Sequence, residues 1–146
     1  MVRQKILSSH SISFALFREG ITPPENVCAS ALGLESGQIP GSAMTASSVH
    51  SQYFEAERAR LNKKNEGSYY GAWVPRRSTL GEWIQIDLGK NVKVTRIATQ
   101  GRHNANRWTR SYSLSFRIQG GSTFEPYNNS QVCFVLPESE MVEISY

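Results

Sequence analysis

No stretch of this 146-residue chain approaches the roughly 20 consecutive apolar residues that a helical membrane span needs, which argues against a transmembrane protein. Histidine and cysteine are scarce, three and two residues respectively. His10, His50 and His103 are too dispersed, and Cys28 and Cys133 lack the ligand spacing, for a zinc site. Also missing are a phosphate-binding glycine loop, an HExxH pair, paired catalytic carboxylates and a nucleophile with a neighbouring base. These gaps argue against an enzyme, and no residue pattern calls for a cofactor. Charge of one sign does not run in blocks. Lys+Arg number 16 against 12 for Asp+Glu, with local concentrations at Arg76-Arg77 and in the Arg102, Arg107, Arg110 set. With neither a basic stripe nor a recognisable motif, nucleic acid is not an expected partner. The modest positive balance suits anionic lipid headgroups or sulfated glycans, and equally an ordinary basic surface.

What is present is alternation. In segment 83–102, WIQIDLGKNVKVTRIATQGR, Ile84, Ile86 and Leu88 alternate with Gln85 and Asp87, the period of a half-buried strand. Gly89-Lys90-Asn91 supplies turn residues, and residues 92–99 form a β-branched-rich run, so the pair reads as a β-hairpin. It leads into a polar, aromatic-tipped loop over residues 100–108, a geometry that presents a loop for binding. Residues 112–118 place Tyr112, Leu114, Phe116 and Ile118 against Ser113, Ser115 and Arg117, the cleanest strand in the chain, ended by Gly120-Gly121. Many short strands with turn signals between them, and no long amphipathic helix, predict an all-β antiparallel sandwich or barrel. Trp73 and Trp83 lie in apolar strand patterns and are assigned to core packing.

Five fragments occur in order: CASALGLESGQIPGSAMTASS, ARLN, GAWVP, WIQIDLG and IATQGR. Together they resemble the discoidin, or coagulation factor 5/8 type C, module. The resemblance covers residues 28 to about 127. It implies a distorted jelly-roll barrel of the galactose-binding-domain-like type, in an extracellular or cell-surface protein that acts in recognition, for instance in cell adhesion. Three segments follow: residues 1–27 as a leader or linker, 28–127 as the module, and 128–146 as a divergent tail. The alternative functions are a truncated or spliced fragment without binding activity of its own, or an accessory domain of a carbohydrate-processing or other enzyme.

In the family the ligand surface lies on protruding loops at one end of the barrel, and two such loops map here. The first carries Val49, His50, Gln52, Tyr53 and Phe54; the second carries Arg102, His103, Asn104, Asn106, Arg107 and Trp108. Tyr53, Phe54 and Trp108 offer apolar area to a membrane interface or a sugar ring, unless they fold back onto the core. Arg102 and Arg107 suit phosphate, sulfate or carboxylate groups, and the Asn and His side chains suit hydroxyls. The implied partner is a glycan, an anionic membrane surface or an extracellular protein, with neighbouring domains or oligomers adding avidity. Near the two loops there is no carboxylate cluster suited to calcium. Arg58 and Arg60 are expected to make a structural ion pair, with Asp87 as the partner that the family suggests.

The ends depart from the pattern. Arg3 and Lys5 precede apolar residues, but residues 8–11 interrupt the run, so segment 1–27 reads as a degenerate or absent signal, or as a leader fragment. After TFEPYN the family continues with further strands and a terminal cysteine, whereas this chain runs NNSQVCFVLPESEMVEISY. Final strands are therefore expected to be missing, by truncation, by completion from a partner, or by imperfect substitution from the tail. Cys28 and Cys133 form a long-range disulfide if the chain is secreted and are buried thiols otherwise. Asn128 opens a glycosylation sequon.

Overall fold

Strand β5, Glu82–Ile86, shows how local pattern becomes packing: Ile84 and Ile86 are 1% and 2% exposed, while Trp83 and Gln85 on the other face are half-buried. The computed structural model describes residues 2–6, 13–18, 30–92 and 94–127. Around β5 the other strands of these residues are β1 (Val2–Ile6), β2 (Ser13–Arg18), β3 (Ser30–Ala31), β4 (Met44–Ala46), β6 (Val94–Gln100), β7 (Tyr112–Phe116) and β8 (Glu125–Pro126). Short 3-10 turns occur at Gly41–Ala43, Gln52–Phe54 and Ala56–Arg58.

Every ladder is antiparallel. One sheet has the order β4-β5-β1-β7-β8 and the other β3-β2-β6. The protein is all-β, as its alternating patterns predict. Leu34, Met44, Ala59, Trp73, Ile84 and Ile86 cluster with Ile97 of the second sheet, so the core lies between the sheets. In β6 the consecutive residues Ile97, Ala98 and Thr99 are all at most 7% exposed, which is burial on both faces.

Several expectations are corrected. Segment 83–99 is not a hairpin, because β5 and β6 belong to different sheets and the chain from Asp87 crosses between them. Asp87 accepts the Gly89 amide at 2.8 Å, making a tight local turn that mimics a hairpin corner without pairing the two strands. Trp73 is fully buried, but Trp83 occupies the outer face of β5 rather than the core. Arg58 pairs with Glu66 at 2.8 Å, not with Asp87, and Arg60 donates to the Leu34 carbonyl. Within the segment read as leader or linker, residues 2–6 and 13–18 are strands. Cys28, Cys133, Asn128 and the tail from residue 128 lie outside the described residues.

Candidate recognition loops at one pole

Register defines the pole. Ala46 pairs with Ile84, Ile6 pairs with Glu82, and Ile6 also pairs with Tyr112. The end of β4 and the starts of β5 and β7 therefore share one end of the sandwich. Both loops expected from sequence emerge there, after β4 and before β7.

The first loop is anchored by short polar side chains. The Ser47 amide donates to the Trp83 carbonyl at 2.9 Å, and the Trp83 amide returns a bond to Ser47 Oγ at 3.0 Å. Ser47 and Ser48 hydroxyls both donate to Glu82 Oε2. Buried Trp73 donates its indole N–H to the Ser48 carbonyl at 2.9 Å, which satisfies the one polar atom of a side chain otherwise committed to the core. The His50 amide donates to Val74 at 2.8 Å, and Ser51 Oγ accepts the Tyr53 amide to cap the 3-10 turn. Val49 packs against the core and Phe54 is 8% exposed, so these two are not tip residues. His50, Gln52 and Tyr53 face solvent.

Behind that loop, Arg58 organises a hairpin. It is 7% exposed and donates from Nε to the Tyr70 carbonyl at 2.8 Å, from Nη1 to Glu66 at 2.8 Å and from Nη2 to the Lys64 carbonyl at 3.2 Å. Fixed fork geometry is what allows one side chain to tie three segments. Glu66 and Tyr69 exchange backbone bonds of 2.8 and 3.0 Å, and Tyr69 is left 46% exposed with its ring edge-on to Tyr53 at 5.8 Å. Hydrogen bonds from Lys63 and then Arg58 hold the Glu66 carboxyl down to about 2. Only glycine fits at position 71, where a Cβ would come within 1.8 Å of the Lys63 carbonyl oxygen.

The second loop closes on itself. The Arg102 amide donates to the Arg107 carbonyl at 2.9 Å and the Arg107 amide to Ala105 at 2.8 Å, with Asn104 at a positive φ of 58° that asparagine tolerates. Asn104, Asn106 and Arg107 are exposed; His103 and Trp108 are half-buried. Arg102 turns away from a ligand position. Its guanidinium carbon lies 4.2 Å from the Tyr70 ring centroid and 5.1 Å from that of Phe54, and Nε is buried without a hydrogen-bond partner among the described residues. Phe54 and Tyr70 are themselves stacked, centroids 4.5 Å apart and rings 6° from parallel. The arginine is thus a brace between the loops. At the root of the pole, burial pushes the Tyr112 phenol up to about 12.

A third loop, residues 76–81, joins the same pole and was not assigned from the sequence. The Arg76 amide donates to Ser48 Oγ at 3.0 Å, Gly81 takes a φ of 93°, and Leu80 stands 72% exposed. The available signal was the Arg76-Arg77 pair followed by one isolated apolar residue before a strand. Tyr53, Tyr69 and Leu80 are the exposed large apolar side chains on these segments. At the other end of the sandwich, a cleft of about 190 Å³ lies between the turns carrying Lys90 and Arg117. Among the described residues no group of three or more His, Cys, Asp or Glu is placed to hold a metal ion, and no helix is long and apolar enough to cross a membrane.

The F5/8 type C domain family matches residues 43–143. Human neuropilin-1 is 38% identical over 100 residues, 68% of this chain and 10% of that protein. Zebrafish neuropilin-1a is 34% identical over 109 residues, 75% of this chain and 11% of that protein. Mouse coagulation factor V is 36% identical over 108 residues, 70% of this chain and 5% of that protein. The chain therefore spans about a tenth or less of the length of these relatives. No solved structure matches it.

Proposed function

The chain belongs to the F5/8 type C domain family, and we propose that it is a non-enzymatic recognition module that works outside the cell and binds through the loops at the β4–β5–β7 pole. The ligand class favoured by the geometry is an anionic membrane surface. One observation carries this reading: Leu80, 72% exposed, follows Arg76-Arg77 at the same pole from which Tyr53 and Arg107 face solvent. An apolar tip enters the acyl boundary while neighbouring cations meet phosphate.

The expected strength is modest. A Leu side chain gives about 1.5–3 kcal/mol on full burial, and each basic residue near an anionic surface about 1 kcal/mol. Loss of motional freedom on binding cancels much of that, so stable attachment calls for tandem modules or oligomers. A second reading, a glycan, is favoured by the edge-on Tyr53–Tyr69 pair on exposed side chains at this pole, with the exposed amides of Asn104 and Asn106 on the second loop suited to hydroxyls.

Flotation with phosphatidylserine vesicles tests the first reading. Leu80→Ser and Arg107→Ala should each lower bound protein several-fold without moving the melting temperature, and the Arg107 deficit should vanish at high salt. Equal binding by parent and both variants removes this pole from membrane recognition. Retention on immobilised glycan lost by Tyr69→Ala would support the second reading instead.

A further inference from the structure

The central strand of each sheet comes from residues 2–18. β1 pairs at five positions with β5 and at five with β7, so both of its edges are used. Without it, the order β4-β5-β1-β7-β8 falls into two ribbons, β4-β5 with three paired positions and β7-β8 with two. Two-stranded ribbons of that size are marginal on their own. The second sheet depends on the segment even more, because among the described residues β3 and β6 pair with no strand but β2. The remainder of both sheets, residues 30–126, thus presents long unpaired backbone edges that accept an extended segment, the arrangement by which sheets bind peptides.

We propose that the segment carrying β1 and β2 acts as a donor, and that the facing edges of β5 and β7 together with the edge of β6 form a binding surface for the two strands of that segment. The bond-by-bond register holds the segment in place without need of its covalent connection. This inference is independent of the ligand at the loop pole.

A protease site inserted between residues 18 and 30 of the full chain tests it. After cutting, the two pieces should elute together and melt in one cooperative transition, parting only in denaturant. Dimers formed by exchange of the segment between copies carry the same meaning. Separation of the pieces under native conditions overturns the proposal, whether or not the larger one stays folded. A second variant removes dependence on the cut. Gln4 is paired on both sides, to Ile84 and Leu114, and proline is not tolerated in an inner strand. Gln4→Pro should abolish the cooperative transition, and an added synthetic peptide of residues 2–18 should restore it. An unchanged melt in that variant, or no recovery with the peptide, refutes the donor role.

Discussion

Residues 49–54 and 103–108 sit side by side at one pole, yet they are held by different means. The first loop is bonded outward: its amides and carbonyls reach Val74 and Tyr70, and the preceding Ser47 and Ser48 fix its root to Trp83 and Glu82. The second is bonded inward, through turn bonds between Arg102 and Arg107, and meets the first through the Arg102 side chain resting on Phe54 and Tyr70. A loop tied to its surroundings is part of the scaffold and resists change in its own sequence. A loop closed on itself varies freely in its tip residues provided the brace at its base is kept. On this scaffold, stability resides around Arg58 and Trp73, and the exposed side chains of Asn104, Asn106 and Arg107 have room to diverge.

The sharpest way to break the contrast is Arg58→Ala. It strips donors from the Tyr70 and Lys64 carbonyls and removes a buried stem, which should cost about 3 kcal/mol and be visible in denaturant melts as a lowered midpoint. The Tyr69 hairpin should loosen with it, and an unchanged midpoint would show that the hairpin is not part of the scaffold. Arg102→Ala should cost less, about 1 kcal/mol for the lost cation–π contact. Its mark is local: faster amide exchange at Ala105 and Arg107, with Tyr70 as protected as before. Equal acceleration on both loops would mean that the brace serves the scaffold as well.

The smallest effect separates the two regions by pH. The folded Glu66 carboxyl titrates at about 2 against an ordinary value of 4.5, so its contribution is present above 4.5 and fades as pH falls from there toward 2. Glu66→Gln should flatten the stability profile in that window and leave the second loop unaffected. A profile as steep as that of the parent would assign acid sensitivity to other carboxylates.

Much of the scaffold was legible because alternation reports burial directly. Ile84 and Ile86 point inward as their spacing required, and Trp73 is core. The family fragments located both loops, since they lie at fixed places between strand motifs. Pairing was harder to read. Gly89-Lys90-Asn91 has hairpin chemistry, but which sheet a strand joins depends on partners far along the chain, and β6 chooses β2. β1, VRQKI, is short and carries two charges, so its inner position has no local signature. Trp83 misled because an aromatic in a strand packs equally well on an outer face. Phe54 and Arg102 look like ligand groups in sequence, yet in space the arginine lies over the Phe54 and Tyr70 rings.

One consequence concerns time. β1 is made before the strands it pairs with, and Val2 pairs with Phe116, near the far end of the described chain. At typical synthesis rates of roughly 5–20 residues per second, that partner appears on the order of ten seconds later. Contacts so distant in sequence also form slowly once both strands exist. Through that interval β1 must stay extended and unclaimed by other edges, and its sequence, VRQKI, carries two basic residues of the kind that discourage pairing with the wrong chain.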